Sequence, residues 1–290
     1  MISCSGCENK KIKPPENIDL PFFAYGIFKP NQIAYSKIEK YVEKSINSEI
    51  NYYMKERDGV PILIDNTSKS NYTQGNILYF KENQKEIAYK KISNTTSKAL
   101  YEWKTIKIGK EEVNILFGVN TDLGSTIPEL SYTDYNGKND PFFKEAIKLI
   151  ESNLENLKNT YRIMGFFELQ MNYMLLWSAI DRYTHLKYNK NTEKANRRAL
   201  SNEKVFKDGL KKYTKNKDRK VYSANDITEY PFNLDNPYQC INYYYTIRCN
   251  VVHRGKISPQ EDAEMVKEAT EELLAIFKDI LKDTFGEKVD

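Results

Sequence analysis

A polar stretch near the middle of the chain separates two regions whose apolar residues follow different spacings. This stretch, residues 121–140, is rich in residue types that interrupt secondary structure: Gly124, Pro128, Asn136-Gly137 and Asn139-Asp140-Pro141. Apolar runs before it are short and bounded by polar turns, whereas those after it recur every three or four residues. A chain of 290 residues can hold two domains. We therefore predict an irregular N-terminus at 1–19, an α+β domain at 20–122, a linker at 123–139 and a helical domain at 140–290.

In the first region the apolar runs predict strands and at least one helix. The strands are expected at Val60–Ile64, Asn76–Phe80, Tyr101–Ile108 and Val113–Val119. Asn31–Met54 has helical spacing instead, with apolar residues at Ile33, Ile38, Tyr41, Val42, Ile46, Ile50 and Tyr53. We therefore expect a helix to precede most of the strands.

In the second region every strong pattern is helical. An amphipathic helix is expected at Phe142–Leu157, and a buried central helix at Tyr161–Tyr188. A further helix should open at Asn236-Pro237 and run to about Arg254, before Gly255. The last helix should begin at Ser258-Pro259, since Ser is a good N-cap and Pro suits the first helical position. The sequence predicts an all-α bundle.

Apolar runs and cysteine spacing indicate the cell compartment of the protein and whether it binds a metal. No apolar run approaches the ~18 residues of a membrane helix, and no apolar segment precedes the first cysteines as an export signal would. Cys4 and Cys7 form a C-x-x-C, but Cys240 and Cys249 lack that spacing, so a four-ligand zinc site is not indicated. We expect a cytoplasmic protein with free thiols, no membrane contact and no metal or other cofactor.

Charge is unevenly distributed along the second region. Lys190–Lys220 holds twelve basic and four acidic residues, a net charge of +8, whereas Glu261–Asp290 holds four Lys and ten acids, a net charge of −6. The basic segment has two interpretations. It could be a solvated loop or helix face, or it could attract the phosphates of a nucleic acid.

The chain contains only two histidines, His185 and His253, which excludes multi-histidine metal centres. His253 lies near the end of a predicted helix and shares a face with Asn250 and Arg254. Arg248 stands five residues earlier, about 140° around an ideal helix, from where its long side chain can reach round. An imidazole in this position suits proton transfer near neutral pH.

An imidazole and a guanidinium together are sufficient for RNA cleavage. A base removes the proton of a ribose 2′-hydroxyl, which attacks the adjacent phosphate, and an acid protonates the leaving oxygen. A cation stabilises the charge on the phosphate oxygens, and Arg matches phosphate in bidentate fashion. DNA lacks the 2′-hydroxyl, so this chemistry is restricted to RNA.

The segment Tyr-x-Ile-Arg-Cys-Asn-Val-Val-His-Arg-Gly-Lys, in the penultimate predicted helix, resembles the R-x-x-x-x-H signature of the HEPN superfamily. The resemblance implies a metal-independent endoribonuclease that dimerises through its C-terminal helices, with Arg248 and His253 as catalytic residues and Asn250 in support. It also implies an acid on an earlier helix that orients the Arg. Asp181 is the candidate, although it could equally pair with Arg182 or His185.

The same resemblance implies a toxin or antiviral-defence effector that acts on RNA. The basic residues expected to bind RNA are Arg254, Lys256, Lys211 and Lys212. An antitoxin or another regulatory partner would fit such a role. The family pattern usually has a polar residue beside the Arg, where this chain has Cys249.

In the first region, Phe22-Phe23-Ala24-Tyr25-Gly26-Ile27-Phe28-Lys29-Pro30 resembles the opening of the γ-glutamylcyclotransferase-like (AIG2-like) fold, and Gly75–Phe80 resembles one of its later strands. The resemblance implies a small mixed β-barrel with a ligand cavity beside Tyr25, Gly26, Ile27 and Phe28. Ile27 replaces the usual small hydroxyl residue, and Glu86 is out of register for the catalytic Glu. We therefore expect a cyclotransferase-like scaffold that acts as a ligand sensor or interaction module. A generic α+β domain remains open.

Two alternatives to a nuclease stay open. The second region could be a non-catalytic HEPN-like module that binds nucleic acid or protein, with the basic segment supplying affinity. The first region could instead carry γ-glutamyl-type cyclotransferase activity, if a carboxylate reached the Tyr25-Gly26 loop.

Overall fold

The protein divides into two compact units, Met1–Asn139 and Asp140–Asp290. The computed structural model describes residues 11–30, 32–57, 60–67, 72–121, 141–157, 163–188, 190, 192–223, 228–254 and 260–285. The predicted linker, 123–139, and the first ten residues of the predicted irregular N-terminus lie outside these ranges.

The N-terminal unit is built on a five-stranded mixed sheet. The described strands of the unit are β1 (Phe22–Ala24), β2 (Val42–Ile50), β3 (Tyr52–Arg57), β4 (Val60–Thr67), β5 (Thr73–Phe80), β6 (Tyr101–Ile108) and β7 (Glu111–Gly118). Its described helices are α1 (Lys85–Thr95) and four short 3-10 helices, Gly26–Phe28, Tyr35–Lys37, Glu39–Tyr41 and Glu82–Gln84. The sheet order is β2-β5-β1-β7-β6, and β3 and β4 form a separate hairpin. Among the described strands of this sheet, β1 and β7 pair in parallel and the other pairs are antiparallel. Strand β6 therefore lies at an edge of the sheet.

Aromatic side chains join α1 to this sheet. Tyr89 of α1 is fully buried, and its ring meets Phe80 and Trp103 edge to face at centroid distances of 5.3 and 5.5 Å. Its hydroxyl donates to the Leu20 carbonyl at 2.7 Å and accepts from Asn114 Nδ2 at 3.0 Å. Burial raises the pKa of the Tyr89 hydroxyl, so this residue acts as a neutral core group.

Three expectations for the N-terminal unit need correction. The helix predicted at Asn31–Met54 is wrong, because the segment contains β2 and the start of β3. Its apolar residues Val42, Ile46 and Ile50 are four apart, and an even spacing also places residues on one face of a strand. The helix lies instead at α1, and the strands of the described residues form an open sheet with a hairpin where a closed barrel was expected.

The C-terminal unit is helical. Its described helices are α2 (Pro141–Asn156), α3 (Ile163–Lys187), α4 (Glu193–Ser201), α5 (Lys204–Tyr213), α6 (Pro237–Arg254) and α7 (Gln260–Phe285). The four helices predicted in this unit correspond to α2, α3, α6 and α7. A two-stranded ribbon, β8 (Lys220–Tyr222) with β9 (Glu229–Pro231), corrects the all-α expectation. Strands of three residues are too short to show a period in the sequence.

Helix α3 is the central helix, as its apolar composition predicted. Tyr173, Trp177, Ile180 and Tyr183 on α3 are almost completely buried, and α3 contacts α2, α4, α6 and α7. Across the described helices, no stretch joins the length and the apolar character that crossing a bilayer would need.

The uneven charge of the sequence has a structural explanation in the packing of α7. Lys212 and Lys215 form ion pairs with Asp279 and Glu271 at 3.2 and 3.4 Å. Arg219, which follows them, pairs with two further acids of α7. The basic segment and the acidic C-terminal helix therefore neutralise one another in part.

Candidate functional site

The contact between α3 and α6 brings two of the predicted site residues into one neighbourhood. Trp177 of α3 meets Tyr245 of α6 edge to face, with ring centroids 5.5 Å apart. Asp181 lies one turn beyond Trp177, and Arg248 lies three residues beyond Tyr245. The Arg248 guanidinium carbon is 5.5 Å from the centre of the Tyr245 ring.

Asp181 lies within electrostatic range of Arg248. Its pKa is raised from 3.8 to about 6, mainly because burial disfavours the carboxylate, and Glu193 raises it further. Arg248 and Arg197 act in the opposite direction and favour the charged form. Within the described part of the chain, no cation lies within ion-pair distance of Asp181, so the attraction acts without direct contact.

Arg182, which the sequence offered as a partner of Asp181, has a different position. Its guanidinium carbon lies 5.8 Å from the ring centres of both Phe142 and Phe143 on α2. The electrostatic partners of Asp181 in the structure are therefore residues of α4 and α6, which are distant in sequence.

Arg248 has unused hydrogen-bonding capacity. Its side chain is partly exposed, but its Nε atom is buried and has no hydrogen-bond partner among the described residues. No carboxylate among the described residues lies within ion-pair distance of its guanidinium. A buried donor without a partner costs about 1–3 kcal/mol in stability, whereas the exposed part of the guanidinium remains available to a ligand.

Three residues of this neighbourhood were not identified from the sequence: Glu193, Arg197 and Tyr245. The Arg197 guanidinium carbon lies 3.5 Å from the centre of the Tyr245 ring, and the Tyr245 hydroxyl donates to Glu193 Oε2 at 2.7 Å. Burial and the Glu193 hydrogen bond raise the pKa of Tyr245. Together with Asp181 and Arg248 we call these residues the Arg248 cluster.

The sequence held a partial signal for these residues. Glu193 and Arg197 are four apart on α4, a spacing that places both on one face. Thr192 fixes the start of that helix, because its hydroxyl accepts from the Ala195 amide at 3.1 Å. Nothing local indicated that this face would meet Tyr245.

Asn250 lies on another side of α6. It is about 200° from Arg248 around an ideal helix. Its amide nitrogen donates to the Tyr222 carbonyl at 2.8 Å, which ties α6 to the β8–β9 ribbon. It also lines a cavity of about 310 Å³ with residues of α3, β8 and α7. The structure therefore does not bring Asn250 into the Arg248 cluster.

His253 and Arg254 occupy the last turn of α6, but only their backbone is described. Their side chains, and all of Lys256, lie outside the described part of the chain. The pairing of His253 with Arg248 therefore stays a prediction from the sequence.

Lys211 and Lys212 lie in the last turn of α5, which packs against α7. Lys211 is exposed, whereas the Lys212 ammonium is engaged by Asp279 at 3.2 Å. The two neighbouring lysines thus differ in how much of their charge remains for a ligand.

The predicted ligand loop of the N-terminal unit is buried. Tyr25, Gly26, Ile27 and Phe28 are all packed in the interior, and the Tyr25 hydroxyl donates to the Leu116 carbonyl at 2.8 Å. Gly26 has a φ of +56°, and a Cβ there would lie 2.5 Å from Pro61 Cγ. In the structure, the loop packs closely against the β3–β4 hairpin.

No group of three or more His, Cys, Asp or Glu side chains suited to a metal ion occurs in the described ranges. Comparison with models of protein families, with curated proteins and with solved structures found no match to this chain.

Proposed function

We propose that the C-terminal unit is a metal-independent endoribonuclease of the HEPN type, in which Arg248 and His253 cleave RNA by attack of the ribose 2′-hydroxyl. The observation that carries the proposal is the state of Arg248. A partly exposed guanidinium lies in electrostatic range of an acid on a facing helix and forms no ion pair with any described carboxylate. A cation whose charge is not cancelled by a close carboxylate can bind a phosphate.

The proposal gives each of these residues a role. Arg248 binds the scissile phosphate and stabilises its developing negative charge. His253, five residues further along α6, takes the proton of the 2′-hydroxyl or gives a proton to the leaving oxygen. Asp181 attracts the guanidinium from a distance and limits its orientations. The face of the Tyr245 ring holds the guanidinium in place by a cation–π interaction.

The proposal includes a homodimer that joins two such sites. Met164, Phe167 and Met171 of α3 are 67%, 40% and 71% exposed and follow one another at three- and four-residue steps. Val252, 43% exposed, lies one turn beyond Arg248 on α6. Exposed apolar residues along one helix face favour an interface, and a second copy of this chain would cover them beside the catalytic Arg.

The wider assignment rests on the resemblance. On this resemblance, the protein is a cytoplasmic toxin or antiviral-defence effector. Arg254, Lys256 and Lys211 hold the RNA backbone, and an antitoxin or another partner controls the activity. The N-terminal unit serves as a cyclotransferase-like sensor or regulator.

The test is cleavage of a fluorescently labelled RNA by wild type, Arg248→Ala and His253→Ala, each measured with and without EDTA. Arg198→Ala is the matched control, because Arg198 also lies over a tyrosine, 5.3 Å from the Tyr238 ring centre, but is exposed on α4. We expect both active-site variants to lose about 10²–10³-fold in rate, and the control and EDTA to have no effect. Equal cleavage by all four proteins would refute the assignment. Salt-sensitive RNA binding without cleavage by wild type would favour the non-catalytic alternative.

A further inference from the structure

A cavity lies inside the C-terminal unit, between helices α3, α6 and α7 and strand β8. Its volume of about 310 Å³ falls within the roughly 300–1,000 Å³ of small-molecule sites. Each helix contributes residues spaced by three or four positions, so each turns one face toward the cavity. These lining residues are Phe166 and Gln170 of α3, Ile247, Asn250 and Val251 of α6, and Asp262, Met265 and Val266 of α7. We call this space the Asn250 cavity.

Apolar side chains form most of the wall of the Asn250 cavity. Four of them are buried: Phe166, Val221, Ile247 and Val266. The ring of Tyr222 on β8 also lines the cavity but is about half exposed, so a planar ligand can stack on it. The Lys220 ammonium, a further lining group, already pairs with Glu229 at 3.1 Å. The lining therefore favours an uncharged ring over an anion.

Two side-chain amides and a carboxylate interrupt this apolar wall. Gln170 is only 7% exposed and lies one turn beyond Phe166, on the face of α3 that lines the cavity. Asn250 Nδ2 donates to the Tyr222 carbonyl at 2.8 Å, which fixes the plane of that amide. An amide has two N–H donors and an oxygen with two lone pairs, so a single neighbour does not exhaust it. Asp262 adds carboxylate oxygens, which accept hydrogen bonds.

This set of polar groups matches the edge of a nucleobase that carries an amino group. Side-chain amides pair with the amino group and the ring nitrogen of adenine, and carboxylates accept from the amino group of cytosine. We propose that the Asn250 cavity binds an amino-bearing nucleobase, with the apolar wall around its ring and with Gln170 and Asp262 at its amino group.

The site is separate from the Arg248 cluster and does not depend on the nuclease proposal. Asn250 lies about 200° from Arg248 around α6, so the cavity is on another side of that helix. The base can belong to a free nucleoside or to an RNA strand, because the groups of the cavity recognise the base and not its phosphate.

The experiment titrates the full chain with nucleosides by isothermal titration calorimetry. Adenosine is compared with inosine, and cytidine with uridine, because each pair differs by replacement of the amino group with a carbonyl oxygen. At least one amino-bearing nucleoside should saturate and bind about tenfold more tightly than its partner, a difference of about 1.4 kcal/mol. Failure of both to saturate by about 10 mM, or equal affinity within both pairs, would overturn the proposal.

A short single-stranded RNA of the preferred base then distinguishes the two sources. Displacement of the nucleoside by the RNA identifies a base within a strand as the ligand. Retention of the nucleoside beside bound RNA identifies the free nucleoside. Either result supports the site.

Two matched pairs of variants test whether the nucleoside occupies this cavity. Asp262→Asn should weaken binding about fivefold, whereas Glu264→Gln, at an exposed acid of α7 outside the lining, should bind like wild type. Val251→Phe fills the cavity and should abolish binding, whereas Val252→Phe adds the same bulk to a residue outside the lining and should not. Equal affinity within either pair would refute the assignment, with circular dichroism confirming that each variant is folded.

Discussion

Two arginines of the C-terminal unit lie beside tyrosines of the same helix and are used differently. Arg219, which precedes β8, lies over Phe232 and Tyr243 at 4.2 and 5.0 Å and forms ion pairs with Glu272 and with Glu268, the latter at 3.3 Å. Its side chain is 8% exposed. Arg248 lies over the ring of Tyr245, and Asp181 attracts it without forming an ion pair.

The difference shows how a structural cation can be told from one that can serve a ligand. Around Arg219 the charge is cancelled inside the protein: Glu272 is 1% exposed and also accepts from the Tyr244 hydroxyl at 2.7 Å. Around Arg248 the charge is attracted but not cancelled. Tyr243, Tyr244 and Tyr245 are consecutive, and the turn of the helix sends them to different sides of α6.

The largest expected effect is on stability at the paired arginine. Arg219→Ala leaves Glu272 as a buried carboxylate without its cation, which costs about 3–5 kcal/mol in the free energy of unfolding. Urea denaturation of the full chain measures it. Arg248→Ala is the comparison variant and should lose far less stability, because Arg248 forms no ion pair with any described carboxylate and attracts Asp181 only from a distance. If the two variants lost equal stability, the distinction between the two arginines would fail.

The second prediction concerns Asp181, whose pKa is raised from 3.8 to about 6. The folded protein therefore keeps a proton that the unfolded chain releases, so this carboxyl lowers stability as pH rises from about 4 to about 6. Above that range the penalty is constant. Asp181→Asn should stabilise the protein at pH 7.5 by about 1–2 kcal/mol, less than the full shift implies because the group is partly solvated.

The same variant should lower RNA cleavage, since Arg248 loses its orienting charge. Stability gained together with activity lost is the expected signature, and the gain should disappear below pH 4. Denaturation at pH 4 and pH 7.5, with cleavage assays at the higher pH, provides the measurement. A loss of stability at pH 7.5 would mean that Asp181 forms a structural pair like that of Glu272.

What the sequence could predict depended on whether the signal was local. The four main helices and β4, β5, β6 and β7 were expected because their apolar spacing is distinctive. Strand β2 was expected as a helix because spacing by four fits both structures. Asp181 could be proposed because the resemblance implies an acid on an earlier helix and Asp181 lies on an otherwise apolar one. Arg197 could not, since its contact with Tyr245 joins residues 48 positions apart. The burial of Tyr25–Phe28 likewise depends on the distant β3–β4 hairpin.

A smaller effect should distinguish the ring of Tyr245 from its hydroxyl. Tyr245→Phe removes the 2.7 Å hydrogen bond to Glu193 and should cost about 1 kcal/mol or less. It keeps the ring that supports both guanidiniums, so cleavage should be nearly unchanged. Tyr245→Ala removes that support and should lower kcat more than it raises KM. Loss of cleavage in Tyr245→Phe would instead place the hydroxyl in the reaction.

The smallest effect applies the same comparison to two adjacent lysines. Lys212 is paired with Asp279, whereas Lys211 is exposed and has no ion pair among the described residues. Lys211→Ala should therefore weaken RNA binding more than Lys212→Ala, because a phosphate has to compete with Asp279 for the second ammonium. Binding of labelled RNA at several salt concentrations measures both, and the loss should shrink as salt rises. Asp279→Asn is the sharpest control: release of Lys212 should strengthen binding, and an unchanged affinity would show that this end of α5 does not contact RNA.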